Sequence, residues 1–352
     1  MKKIYKITVI GDIGYGEPVY NGQTAKTRDY FYYLAKRYGE TSVNSMDTRY
    51  WRKNILKKII ELIRVMINSE ILVLVLGKNG RQTILPITLC LRHILGNKIL
   101  FSLVGGSLMY EYQDEPMTRK CLQKVDGTFV ETRIIQEFLV ENKIPYVYYS
   151  PVFSKREGIK DLEIFNQSMA FPYRFCTYSR VCKEKGISLA IDAIRKVNED
   201  AGKIICELDI YGTPQEDYRE EFENKIRENQ EYVHVWPYLD DTNAIETLSK
   251  HYIMLFPTFY DGEGFPIAII ECLKAGLPVI ASDWHFNKEV VIDNYTGRIF
   301  SLDNGTALVQ LIKWSLNNQE KVLEMKYNCL NQAKVFEPDK ALEEVYNIID
   351  RI

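Results

Sequence analysis

The stretch from Phe256 to Trp284, FPTFYDGEGFPIAIIECLKAGLPVIASDW, restricts the possible folds of this chain more than any other. Ile267, Ile270 and Leu273 recur at helical spacing, and Pro278-Val279-Ile280-Ala281 is a short apolar run. Together with the apolar lead-in to Phe256, this predicts a strand–helix–strand unit of a buried parallel sheet. Glu263 falls in the turn and Glu271 eight positions later on the helix. At about 100° per residue eight positions make roughly two turns, so Glu271 points to the same side as the helix start. The free N–H groups of that start form an anion site between the two carboxylates, a seat for a ligand with a phosphate and hydroxyl-rich rings. A bare pair of this kind also reads as a first-turn acid favoured by the helix dipole plus a solvated charge. Glu271, however, stands directly between Ile270 and Cys272, where a merely solvated carboxylate is out of place.

The rest of the chain alternates in the same manner. Strand-like runs cover residues 3–10, 42–46, 70–76, 98–104, 128–131 and 146–149, with helical patterns over 23–38, 50–68, 83–95 and 132–142. Such alternation predicts a doubly wound parallel sheet over residues 1–150. Residues 151–170 lack periodicity and read as an interdomain linker. A second series follows over 171–341, with strands at 171–178, 203–211, 232–236 and 252–256 and helices at 187–198, 215–229 and 241–249. Everything from Thr306 on is helical, ending in a helix over 342–352. The fold class is therefore α/β, with two Rossmann-like domains.

Gly11, Gly14, Gly16 and Gly22 punctuate the loop between the first strand and helix. Their order is wrong for G-x-G-x-x-G, and the helix does not follow Gly11 directly, which argues against a dinucleotide site. Gly22, in NGQTAKT, precedes the helix start, where a backbone can approach a phosphate; an ordinary turn with Thr24 as cap is the alternative. Loops at the carboxyl ends of the strands predict one ligand-binding rim that includes Gly77 to Arg81 and Gly105 to Ser107.

Seven scattered cysteines without a C-x-x-C and four scattered histidines argue against zinc and disulfides. No apolar run approaches the length of a membrane span, and the N-terminus enters a strand at once, so a cytoplasmic location is expected. Residues 1–150 carry 22 Lys and Arg against 14 Asp and Glu, the remainder 23 against 33, or +8 and −10. The first half thus faces something anionic. Within it, Tyr50 to Asn68 is strongly amphipathic: Leu56, Ile59, Ile60, Ile63, Met66 and Ile67 share one face, and Lys53, Lys57, Lys58, Glu61 and Arg64 the other. It reads as a surface helix of the sheet, with the sharper expectation of weak contact with an anionic membrane through its basic end, flanked by Trp51 and Arg52. Nothing points to nucleic acid as a partner.

The run Glu263 to Ser282, E-G-F-x-x-x-x-x-E-x-x-x-x-G-x-P-V-x-x-S, resembles the E-x7-E signature of family 4 glycosyltransferases, retaining enzymes of the GT-B fold with two domains facing across a cleft. Ser179-Arg180 to Lys185-Gly186 is similar to the family's G-R-x-x-x-x-K-G, with Ser179 in place of glycine. The resemblance implies that Arg180 and Lys185 neutralise a departing diphosphate, that Glu263 contacts the donor sugar, and that Glu271 accepts from the ribose hydroxyls. It further implies that the N–H groups of Gly264 and Phe265 meet the sugar or diphosphate, that Gly22 belongs to a glycine loop presented to the diphosphate, and that Trp236 and Tyr238 contact the base. Pro237 stands where glycine is frequent, which leaves the base open between UDP- and GDP-sugars. Gly105 and Arg81 are the acceptor-side candidates, Arg81 having a solvated role as its alternative. No D-x-D motif is present, so no metal and no cofactor are implied, and His93 does not stand out as a general base. The last helix, by resemblance, crosses back to the first domain. The implied reaction moves a sugar from a nucleotide-sugar to a glycan or lipid-linked acceptor in cell-surface polysaccharide assembly. A non-catalytic binding module of the same fold and a nucleotide-sugar epimerase are the competing readings.

Overall fold

In β3 every residue but Glu70 is buried, as its sequence SEILVLVL requires of a strand covered on both faces. It pairs in parallel with β1 (Tyr5–Gly11) on one side and β4 (Lys98–Leu103) on the other, β3 itself being Ser69–Leu76. β2 (Val43–Asp47) lies outside β1, and β5 (Gly127–Val130) and β6 (Val147–Tyr149) continue past β4, giving the order β2-β1-β3-β4-β5-β6. The computed structural model describes residues 3–16, 22–240 and 242–352. The Asn21 end of the glycine loop and the Asp241 start of a predicted helix fall outside the described residues; the helix there runs Ala244–Ser249.

The second sheet repeats the plan with β7 (Tyr173–Tyr178), β8 (Cys206–Tyr211), β9 (Val233–Trp236), β10 (Ile253–Phe256), β11 (Val279–Ser282) and β12 (Gly297–Phe300). Its order is β12-β11-β10-β7-β8-β9, parallel in every described pair. Two six-stranded parallel sheets with helical crossovers make the α/β fold expected from the alternation.

By compactness the chain forms two units, residues 1–152 with 338–352, and residues 153–337. Residues 153–170 thus belong to the second unit rather than to a linker. The reason is Phe165, in the short helix Ile164–Ser168: it is buried beneath Gly276, where a Cβ would lie 2.4 Å from its ring. Gly276 also has φ 62°, a conformation that favours glycine. In the first unit the final helix, Glu343–Arg351, is tied by Asp350, which accepts from the Tyr38 hydroxyl at 2.9 Å and pairs with Arg37 and Lys6.

Three helices of the first unit position its surface: α1 (Gly22–Tyr38), α2 (Ile55–Asn68) and α3 (Lys78–Leu95). α3 starts five residues earlier than the sequence pattern predicts, which takes Arg81 out of the rim loop. Arg81 is fully buried, with Nε and Nη2 donating to Glu115 at 2.8 Å each and Nη2 to Glu111 at 2.7 Å. It is neither solvated nor in a loop, because a buried guanidinium persists only against such carboxylates. α2 also differs from its prediction. Its buried face is Leu62, Val65 and Met66, turned roughly 100° from the face expected. Leu56 and Ile60 are 76% and 60% exposed, whereas Trp51, expected to flank a membrane-facing end, is only 6% exposed.

The second core encloses Lys326 completely. Lys326 donates to the His251 carbonyl at 2.8 Å, and burial pushes its ammonium down from 10.5 to about 7. Between those values the unfolded chain binds more protons than the folded one, so stability rises with pH; below pH 7 the penalty is present in full. K326M, of similar volume, is expected to be more stable than the parent at pH 7 by a few kcal/mol, of the order that such a shift implies. Urea denaturation across pH 7 to 10 should show the gap narrowing as pH rises.

Candidate active site

In a doubly wound sheet the ligand crevice lies where the strand order reverses. In the second unit this point lies between β7 and β10, with β8 and β9 on one side and β11 and β12 on the other. The two loops leaving β7 and β10 carry Arg180 and Lys185, and Glu263. They are stitched together by Phe259 N donating to Glu184 O at 2.7 Å. Gly186 makes this approach possible: with φ 70°, it would place a Cβ 2.1 Å from the Pro257 carbonyl. No side chain fits there.

Lys185 Nζ forms an ion pair with Glu263 Oε2, both side chains being nearly buried. The same carboxylate oxygen accepts from Thr258 Oγ1 at 3.0 Å. The Lys185 ammonium also lies over the Tyr260 ring at 5.3 Å and the Phe256 ring at 5.5 Å, and the exposed Arg180 guanidinium lies 5.2 Å from the centre of Tyr260. Two cations therefore lie within cation–π distance of one tyrosine ring.

The helix of the opening stretch is Ile267–Lys274, with Pro266 at its N-cap. It begins later than the spacing argument supposes, so Glu263 is a loop residue and not a first-turn acid. Gly264 and Phe265 form the lead-in; the Phe265 ring is buried against Phe336, centroids 5.7 Å apart, which leaves its backbone as the part available to a ligand. Glu271 is buried and not solvated. Its Oε2 accepts from Arg156 Nη1 at 2.6 Å and its Oε1 from Ser154 Oγ at 3.4 Å.

Arg156 is the residue that the sequence reading missed. It sits in the stretch taken for a linker, 115 positions from Glu271, and the only local signal was a basic pair, Lys155-Arg156, in an otherwise featureless segment. Its Nη1 also donates to the Tyr178 hydroxyl at 3.0 Å, which in turn donates to the Tyr238 hydroxyl at 3.3 Å. Burial, then the nearby Glu271 carboxylate, pushes the Tyr178 phenol well up, so it stays a neutral hydrogen-bonding group. The rings of Tyr178 and Tyr238 lie 5.4 Å apart, and Tyr238 is exposed.

Trp236 ends β9, exposed on one side, and its Nε1 donates to Asp209 Oδ1 at 2.7 Å. Asp209 also takes Arg174 Nη2 at 2.6 Å and faces His251 Nε2 at 2.9 Å. Burial alone would raise this carboxyl, but the hydrogen bonds from His251 and Trp236 prevail and hold it below its ordinary range. An ionised, fixed Asp209 therefore sets the plane of the Trp236 indole.

Lys274 completes the arrangement one turn after Glu271. Its buried Nζ donates to the carbonyls of Ser154 at 3.0 Å and Arg156 at 2.8 Å and pairs with Glu337 at 2.7 Å. One helix face thus holds both the carboxylate and the strap that supplies its arginine.

Of the predicted residues, Arg180, Lys185, Glu263, Gly264, Phe265, Glu271, Trp236 and Tyr238 all belong to the second unit. Gly22, the exposed first residue of α1, and Gly105, in the turn after β4 with φ 79°, belong to the first. Among the described residues no group of three or more His, Cys, Asp or Glu is placed to hold a metal ion.

Residues 164–332, just under half of the chain, match the family profile described as glycosyl transferases group 1. The chain is 24% identical over 256 residues to an uncharacterized glycosyltransferase, MJ1069, of Methanocaldococcus jannaschii, covering 70% of this chain and 64% of that one. It is 25% identical over 147 residues to the amylovoran biosynthesis glycosyltransferase AmsK of Erwinia amylovora, covering 40% and 35%. It therefore spans less than two thirds of either relative. Among solved structures, Alr3699/HepE of Anabaena in complex with UDP superposes with a TM-score of 0.76 over 99% of this chain and 100% of that one, at 12% identity. At that identity what the two share is the GT-B fold.

Removing Arg156 takes the guanidinium away from the buried Glu271 carboxylate, which costs about 3–5 kcal/mol for such a pair. R156Q is expected to lose stability of that order, and R156Q combined with E271Q to recover part of it. Urea unfolding of the two single variants and the double variant measures the coupling; purely additive losses would remove the pairing from the account.

Proposed function

We propose that this chain is a retaining, metal-independent glycosyltransferase that moves a sugar from a nucleotide diphosphate-sugar to a glycan or lipid-linked acceptor. The observation that carries the reading is the clustering at one switch point of Arg180, Lys185 and Glu263, with Glu271 on the adjoining helix. Glycosyl transfer without a metal needs cations to take up the charge of the departing diphosphate, and donors that strengthen as it departs accelerate the step. Arg180 and Lys185 supply that charge, Glu263 meets the donor sugar's hydroxyls, and Glu271, held by Arg156, accepts from the ribose. Trp236 and Tyr238 offer their exposed rings to the base.

In this mechanism the bond from the anomeric carbon to the diphosphate oxygen breaks, and its electron pair stays on the diphosphate. The acceptor hydroxyl bonds to the anomeric carbon on the same face and passes its proton to the departing phosphate oxygen. No side chain need act as a general base. The match to group 1 glycosyl transferases supports the transfer chemistry, and UDP is favoured as the nucleotide because the structurally similar HepE is found in complex with UDP and with UDP-glucose. The likeness to AmsK supports a role in polysaccharide assembly.

We place the enzyme at the cytoplasmic, anionic face of a membrane, held weakly through α2. Ile55, Leu56 and Ile60 are 47%, 76% and 60% exposed, Lys57 and Arg64 border them on the next part of the helix surface, and Lys53 lies in the turn before it. At roughly 1 kcal/mol per basic residue near such a surface, the attachment is reversible and salt-sensitive.

Titration with UDP-, GDP- and dTDP-sugars tests the donor side. UDP-sugar binding weakened at least about tenfold in E271A is expected, that being about the loss of a hydrogen bond to a charged group; no nucleotide-sugar binding at all would end the reading, and tight binding without transfer to any acceptor would favour a binding module. The anomeric configuration of the product, followed by NMR, decides retention. For the membrane, L56E combined with I60E should release the protein from phosphatidylglycerol vesicles at low salt. A parent protein that never sediments with them would refute the attachment.

A further inference from the structure

We infer a second anion site, in the first unit, that takes a phosphate or diphosphate group of the acceptor. This deepens the glycosyltransferase reading and rests on it for the word acceptor; the anion chemistry itself stands on the geometry.

The first sheet reverses its strand order between β1 and β3, the position where doubly wound sheets bind ligands. A cavity of ≈ 420 Å³ lies there, lined by Asp12 just beyond β1, Thr48 just beyond β2, Leu76 at the end of β3, and the first turn of α3. Among the described residues, Arg49, Arg52, Lys53 and Lys78 line it together with one carboxylate, Asp12. Arg49 neutralises that carboxylate through Nε at 2.8 Å. Arg52 donates only to the neutral amide oxygen of Asn79, at 2.9 Å, and keeps its charge for a ligand. Lys53 lies over the Tyr50 ring, and Lys78 pairs with Glu111 outside the cavity.

The backbone agrees with the side chains. α3 runs for 18 residues, its N-cap is Gly77, and its first turn holds no acid, so no side chain caps the N–H groups of Lys78, Asn79 and Gly80. Arg81 N, the next in line, already donates to Gly77 O at 3.0 Å. Trp51 contributes an apolar part of the cavity wall and is 6% exposed, its indole Nε1 being turned into the protein. An anion with several oxygens satisfies uncapped N–H groups, guanidinium and ammonium together; a neutral sugar does not neutralise the excess charge.

The test uses the whole chain with inorganic pyrophosphate as probe, by calorimetry at low salt. UDP is titrated first and left at saturation, so that the donor diphosphate site is filled before pyrophosphate is added. We expect pyrophosphate to bind the UDP-saturated protein, with affinity reduced at least about tenfold in R52Q/K53Q, the loss of one charge-assisted bond. K36Q/K120Q, two exposed lysines of the first unit outside this cavity, should leave the affinity unchanged. No pyrophosphate binding, or an equal loss in both double variants, overturns the site, the second result reducing it to unspecific surface charge. A protein that fails to bind UDP instead sinks the donor reading, and the same pyrophosphate titration still judges the cavity. Vesicles of phosphatidylcholine with and without phosphatidylglycerol then separate the sources: binding abolished by pyrophosphate assigns the anion to a lipid head group, and binding indifferent to it assigns a soluble phosphorylated acceptor.

Discussion

The buried ammonium of Lys274 is the contact on which the candidate donor site depends. A lysine without water is tolerable only if each donor finds an oxygen, and Lys274 finds the Ser154 and Arg156 carbonyls and the Glu337 carboxylate. Satisfying it pins the strap that leaves residue 152 onto the helix bearing Glu271. The same strap delivers Arg156, whose guanidinium balances the buried Glu271 carboxylate. Two residues one turn apart on one helix therefore organise a segment more than a hundred positions away. Both chain crossings between the compact units, at 152/153 and 337/338, adjoin residues bonded to this one ammonium.

Charge is distributed with the same economy in both sheets. In the second, Lys185 pairs with Glu263, and Arg180 and Lys185 both lie within cation–π distance of the Tyr260 ring. In the first, Arg49 cancels Asp12 and the remaining cations stand at the mouth of the switch-point cavity. The two sites are built on one principle. Each joins an uncapped helix start with cations from a neighbouring loop, at the place where strands diverge and backbone N–H groups are exposed.

Much of this was legible in the residues. The β-runs and helical periodicities located two parallel sheets, and the apolar spacing after Glu263 marked the helix that carries Glu271. Specific errors have physical causes. Arg81 was read as a loop residue because Gly77 and Gly80 look like a turn, yet the pull of Glu115 and Glu111 extends the helix through it. Residues 153–170 looked like a linker because their apolar residues recur at no regular spacing, and Gly276 creates the space that buries Phe165. In α2 the periodicity identified an apolar face correctly as a pattern, but the core took the adjacent face of Leu62, Val65 and Met66. Amphipathicity states that a helix has faces; packing decides which one is covered.

The sequence alone therefore determined the fold class, most of the strands and helices and the residue types available for the chemistry, because strand and helix periods are local properties of a few neighbouring residues. The tertiary structure alone decided who partners whom: Arg156 with Glu271, Lys185 with Glu263, Lys274 with the strap, and Trp236 with Asp209. These pairs are separated by 115, 78, 120 and 27 positions. No local pattern encodes such distances, since a buried charge selects its partner by what the closed fold brings within hydrogen-bond reach.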